Sequence, residues 1–196
     1  MPDIIRILIV EDDADFCFLI KSMIAREEQM ETIGCAFSRQ EAVELASQLQ
    51  PDIVLMDLNL SSVHLDGIET SREIRLHTDA KVIILTAFED PQITIDACKN
   101  AFACAYVFKS QFSILPDTIR RAASGPTPQE YMINSLILSD LSAAERSVFL
   151  MMLGGDVKLK STPKTIYNQK AALLKKLHLK SQLELAHIFG GVRIRP

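Results

Sequence analysis

Five short apolar runs, each followed by a helix-length pattern, occupy the first 123 residues and leave few folds open. The runs are IIRILIV (4–10), ETIGCAF (31–37), DIVLMDL (52–58), KVIILTA (81–87) and CAYVFK (104–109). They are β-branched and almost continuously apolar rather than alternating, as strands are when both faces of a parallel sheet are covered. Helical patterns fill 14–26, 39–49, 67–77, 91–102 and about 113–123. Five βα units in series predict an α/β fold, a doubly wound five-stranded parallel sheet with right-handed crossovers. Ligands of such sheets bind beyond the carboxyl ends of the strands.

The pattern then changes. ASGPTPQE (123–130) carries one glycine and two prolines and reads as the start of a linker. The division predicted is 1–123 for the α/β domain, 124–140 for the linker and 141–196 for a small all-α domain. In the last part, SAAE (142–145) is a capping box before VFLMML, and Gly154-Gly155 ends that helix. Thr162 can cap a further helix, with Pro163 at its first position and Ile166, Leu173, Leu174 and Leu177 on one face. That helix is predicted from Pro163 to Leu177. SQLE (181–184) is a second capping box and opens a last helix ending at Gly190-Gly191. Only DVKLKS (156–161) lies between the first two, too short and too alternating for a full helix.

Charge divides along the same line. From Leu141 onward there are ten Lys/Arg and three Asp/Glu, a net of +7; the whole chain is −4, so residues 1–140 carry −11. A basic second domain suits a polyanionic partner. No long uncharged apolar run suggests a membrane span, and the acidic N-terminal region does not read as a signal peptide, so a cytoplasmic location is expected. Cys17, Cys35, Cys98 and Cys104 form no CxxC pair and read as buried free thiols. His64, His77, His178 and His187 are scattered and suggest no metal cluster.

Polar residues gather at one edge of the sheet. Glu11, Asp12 and Asp13 follow the first strand; Asp57, Thr86 and Lys109 end the third, fourth and fifth. In this order, on these strands, they resemble the response-regulator receiver domain of two-component signalling, a CheY/flavodoxin-like fold. The resemblance covers residues 3–123. It implies that Asp57 accepts a phosphoryl group from a sensor histidine kinase. It also implies Mg²⁺ held by Glu11, Asp12, Asp57 and the backbone carbonyl of Asn59, a hard cation served by oxygen ligands. Lys109 would neutralise the incoming phosphoryl oxygens, and Thr86 with Tyr106 would form the switch. Such a domain is no enzyme toward a separate substrate; it catalyses only its own phosphoryl transfer and slow dephosphorylation. Phosphatases of the haloacid dehalogenase type also use an Asp after a parallel strand, but need a second Asp where this chain has Asn59. The segment LNLSSVHL, between Asp57 and Asp66-Gly67, is about two residues longer than is usual in receivers.

The second domain resembles the LuxR/NarL/FixJ type of output domain, with the scaffold helix of its helix-turn-helix shortened. The resemblance makes Lys164 to Leu177 the recognition helix. Lys164, Tyr167, Asn168 and Ala171 would face a DNA groove, while Lys170, Lys175 and Lys176 would meet phosphates. The protein implied is a response regulator that controls transcription and forms a homodimer on phosphorylation. The dimer face could be that of the fourth helix, fifth strand and fifth helix, that of the first and fifth helices, or the last helix near Leu183 to Phe189. One alternative is a receiver whose reduced output domain binds protein rather than DNA. Another is a phosphotransfer intermediate without a transcriptional role.

Overall fold

A computed structural model describes residues 4–60, 65–157 and 162–190. The chain divides into two compact units, residues 1–133 and 134–196.

The first unit is built on β1 (Ile5–Val10), β2 (Met30–Ala36), β3 (Ile53–Met56), β4 (Lys81–Thr86) and β5 (Ala105–Phe108). All pairings are parallel, in the order β2-β1-β3-β4-β5. Between the strands run α1 (Ala14–Ile24), α2 (Arg39–Leu49), α3 (Asp66–His77) and α4 (Pro91–Asn100). After β5 come a 3₁₀ segment, Lys109–Ile114, and α5 (Leu115–Ser124). This is the predicted doubly wound fold. β1, β3 and β4 are buried along nearly their whole length, which is why their sequences do not alternate. Ile7, Ile9, Leu55, Ile83 and Val107 form one side of the core with Ile20 and Ile24 of α1 and Ile119 of α5.

Helix starts follow local chemistry. The Asp13 carboxylate caps α1 by accepting from the Asp15 and Phe16 N–H groups. Ser38 caps α2, and Asp90 caps α4 with Pro91 in the first turn.

The segment read as a linker is instead helical. α6 spans Pro128–Ser139. Pro128 starts this helix, where its missing N–H costs nothing, and the Thr127 hydroxyl accepts from Glu130 N–H at 3.1 Å. The real break is Gly125, whose φ of 152° ends α5. The first turn of α6 is anchored within the first unit. Gln129 Nε2 donates to Tyr106 O at 3.0 Å, and Lys81 Nζ donates to Ala122 O, Gly125 O and Glu130 Oε2 at 2.9, 3.0 and 3.4 Å.

The second unit contains the rest of α6, then α7 (Ala143–Met152), α8 (Pro163–Lys176) and α9 (Gln182–Phe189). The Ser142/Glu145 capping box forms in full. In the SQLE stretch Ser181 caps as predicted, but Glu184 reaches back to Lys180 N–H rather than to Ser181. Thr162 caps α8 with Pro163 in its first turn, and the helix stops one residue short of Leu177. Its apolar face is uneven: Leu173 and Leu177 are buried, Ile166 and Leu174 half-buried. Phe149 and Phe189 meet edge to face with centroids 5.2 Å apart. Of the short stretch before α8, Asp156 and Val157 are not helical, and 158–161 lie outside the described residues, as does the C-terminal stretch 191–196.

Candidate functional site

The acidic edge is assembled by strand register. Val10 of β1 pairs with Met56 of β3, and the ladder continues one step: Asp57 N–H donates to Val10 O, while Glu11 N–H donates to Ala36 O. Glu11 and Asp57 therefore leave neighbouring strands side by side. One carboxylate oxygen from each of Glu11, Asp12 and Asp57 lies within 4.8 Å of the others. Glu11 and Asp57 are buried; Asp12 is exposed. Asp13 is not part of this cluster, because its carboxylate is used to cap α1.

Lys109 enters from the end of β5. Its Nζ lies 2.9 Å from Asp57 Oδ2 and 2.8 and 2.7 Å from Glu11 Oε1 and Oε2. It also sits 4.5 Å above the centre of the Phe16 ring. Burial pulls the ammonium toward its neutral form, but the hydrogen bonds to Glu11 and Asp57 outweigh this and hold its pKa above the ordinary value. Burial raises the Glu11 carboxyl from 4.5 to about 7, although the Lys109 hydrogen bond opposes it. One cation thus serves two buried carboxylates with a third beside them. That surplus of negative charge, presented by oxygens alone, fits a small hard divalent cation.

The loop after Asp57 is held by contacts that sequence reasoning did not single out. Asp57 Oδ1 accepts from Leu58 N–H at 2.7 Å, Asp66 Oδ1 from Leu60 N–H at 2.9 Å, and Leu58 O from Gly67 N–H at 3.0 Å. Gly67 packs directly on this backbone: a Cβ there would lie 2.0 Å from Asp57 O and 2.7 Å from Leu58 Cα. The Asp66-Gly67 pair was visible in the sequence, but only the folded loop explains the glycine. Asn59 is half-buried on the same loop, and residues 61–64 of its longer segment lie outside the described residues.

Thr86 and Tyr106 are both buried and meet at one residue. Thr86 Oγ1 accepts from Phe88 N–H at 3.3 Å, and Tyr106 OH donates to Phe88 O at 3.2 Å. Phe88 was not among the predicted residues. Nothing in its sequence context marks a backbone held from both sides.

In the second unit Lys164, Tyr167, Asn168, Ala171 and Lys175 are exposed along α8, and Lys170 is half-buried. The predicted face is therefore available to solvent. Lys176 differs: its Nζ pairs with Glu145 at 3.0 Å. Hydrogen bonds from Ser142 N–H and Lys176 push the Glu145 carboxyl down to about 2. Among the described residues no helix lies between α7 and α8. At α9, Leu185 and Phe189 belong to the core, while Leu183 is 82% exposed. Among the described residues no helix is long and apolar enough to cross a membrane.

The family model of the response regulator receiver domain matches residues 7–119. The chain is 33% identical over 139 residues to the transcriptional regulatory protein LiaR of Bacillus subtilis, covering 70% of this chain and 64% of LiaR. It thus spans somewhat less than two thirds of that relative. A two-component response regulator of the LuxR family from Aurantimonas aligns with 28% identity and a TM-score of 0.59, over 70% of this chain and 98% of that one. The DNA complex of the response regulator RcsB aligns with 97% of this chain and all of that chain, with a TM-score of 0.58; at 22% identity this speaks to fold alone. With the receiver match covering more than half its length and these relatives beside it, the chain belongs to the response-regulator receiver family, as a LuxR/NarL-like two-component response regulator.

Proposed function

We propose that the chain is a phosphorylation-dependent response regulator whose Asp57 accepts a phosphoryl group from a sensor histidine kinase. The observation that carries this reading is the convergence of Glu11, Asp12, Asp57 and Lys109 at the carboxyl edge of the sheet. An Asp57 oxygen attacks phosphorus, the P–N bond to the donor imidazole breaks, and an acyl phosphate forms. Lys109, already in contact with Asp57, follows the incoming phosphoryl oxygens. Mg²⁺, held by Glu11, Asp12, Asp57 and the Asn59 carbonyl, would supply charge neutralisation for those oxygens. The domain processes no second substrate; its chemistry is its own phosphorylation and slow hydrolysis.

Thr86 and Tyr106 would read the phosphorylation state. A phosphoryl oxygen that accepts from the Thr86 hydroxyl draws Thr86 toward Asp57 and away from Phe88, whose N–H donates to the Thr86 oxygen and whose carbonyl is the Tyr106 acceptor. The switch therefore acts on Phe88 through both of its flanking peptides. Homodimerisation follows from the rearranged face. The output is transcription control through DNA, supported by the basic second unit, the exposed face of α8 and a relative named as a transcriptional regulator. A second reading, a protein-binding output unit, is favoured by one observation: no helix among the described residues lies between α7 and α8 to serve as the scaffold of the recognition helix.

The test of the receiver chemistry is labelling with a small acyl-phosphate donor and Mg²⁺. One phosphate should be incorporated, and Asp57→Asn should abolish it. Persistent labelling of that variant would refute the assignment.

A further inference from the structure

Lys109 reaches the acidic edge past an aromatic ring. Its Nζ lies 2.9 Å from Asp57 Oδ2, 2.7 Å from Glu11 Oε2 and 4.5 Å from the centroid of the Phe16 ring. A ring face attracts a cation at up to about 6 Å, so this contact is a close one. The ring is held from two directions. Phe16 belongs to the first turn of α1, where its N–H donates to Asp13 Oδ1 at 3.1 Å. Its side chain meets Phe112 edge to face, with centroids 5.6 Å apart and planes at 61°. Phe112 lies in the same 3₁₀ segment that Lys109 begins. Both rings are half-buried and pack against the core that includes Ile9, Cys17 and Val107.

We propose that Phe16 is a positioning residue for phosphoryl transfer: its ring face keeps the Lys109 ammonium at the acidic edge while leaving its N–H donors free to pass from carboxylate to phosphoryl oxygen. The inference rests on the reading of Asp57 as the phosphoryl acceptor. An ammonium carries three donors on a flexible, strongly hydrated stem. Its anionic partners, Glu11 and Asp57, belong to the same carboxylate cluster as Asp12. Oxygens that turn to a divalent cation give up hydrogen bonds to the lysine, which would otherwise swing into water. A third carboxylate in place of the ring would hold the charge, but it would occupy a donor and repel the incoming phosphoryl group. The ring attracts the same charge without a lone-pair acceptor and keeps water from one side of it.

Asp13 gains a role by the same geometry. It stays out of the acidic cluster, and its carboxylate fixes the turn that carries the ring.

The experiment places mono-, di- and trifluorophenylalanine at position 16 of the full chain. Fluorine drains negative charge from the ring face and changes its shape little. Labelling by acetyl phosphate with Mg²⁺ should slow stepwise along the series, reaching about a tenth of the unsubstituted rate at three fluorines. Phe16→Leu, apolar but without a ring face, should be about as slow, and Phe16→Tyr should label near the unsubstituted rate. A second readout needs neither metal nor donor. The Lys109 Cε protons should show a ring-current shift in the unsubstituted chain that disappears in Phe16→Leu. No labelling of the unsubstituted chain would overturn the Asp57 reading and this proposal with it. Normal labelling that stays level across the fluorinated series, equal rates in Phe16→Leu and Phe16→Tyr, or an unmoved Lys109 signal in Phe16→Leu would overturn this proposal alone.

Discussion

Gly67 lies against Asp57 so closely that a Cβ on Gly67 would stand 2.0 Å from the Asp57 carbonyl oxygen. Backbone contacts of this kind cannot be relieved by turning a side chain. Gly67→Ala must therefore move the start of α3 or the loop after β3. We expect destabilisation at the upper end of about 1–3 kcal/mol, the usual cost of overpacking. Phosphorylation of Asp57 should also slow, because the same peptide orients its carboxylate. Urea denaturation and labelling by a small acyl phosphate check both; wild-type values in both would show that the loop yields freely.

The Glu11 carboxyl has a folded-state pKa of about 7 against an ordinary 4.5. The folded state thus binds this proton more tightly than the unfolded chain. In protein freed of divalent cations, the contribution is fully present below the ordinary value and is lost as pH rises through about 7. The change amounts to roughly 3 kcal/mol over that window. Denaturant midpoints measured in chelator across the window should fall with rising pH, and Glu11→Gln should flatten the trend. An equally steep fall in the variant would assign the proton elsewhere.

Lys81 ties the end of α5 to the first turn of α6 through Ala122 O, Gly125 O and Glu130. Lys81→Met keeps the apolar stem but leaves helix-end carbonyls without this donor. A loss of about 1–3 kcal/mol is expected. Hydrogen exchange should quicken locally over residues 128–133. Uniform exchange changes across the first unit would argue that Lys81 supports the sheet rather than α6.

Tyr167 is 73% exposed on α8, and Asn168 beside it is exposed as well. Changing both to alanine should leave the melting temperature unchanged. If α8 reads a groove, sequence preference on a cognate promoter should drop by about 1–3 kcal/mol for each base edge no longer read. Salt-dependent non-specific binding through Lys164, Lys170 and Lys175 should remain. Unchanged preference would move the protein-binding reading of the second unit ahead.

The α/β order, the strand boundaries within a residue or two and the caps of α7, α8 and α9 were legible in the sequence. Each depends on residues close together along the chain: apolar runs, capping side chains and first-turn prolines. The acidic edge was legible too, because a parallel sheet places every strand's carboxyl end on one side. What the tertiary structure alone decided lies where distant segments meet. Asp13 joined a helix cap rather than the acidic cluster. Pro128 opened a helix rather than breaking one. Gly67 was required by the backbone of Asp57, and Phe88 was held between Thr86 and Tyr106. Each outcome turns on steric contact or hydrogen-bond competition between residues brought together by the sheet, and such distances have no trace in local sequence pattern.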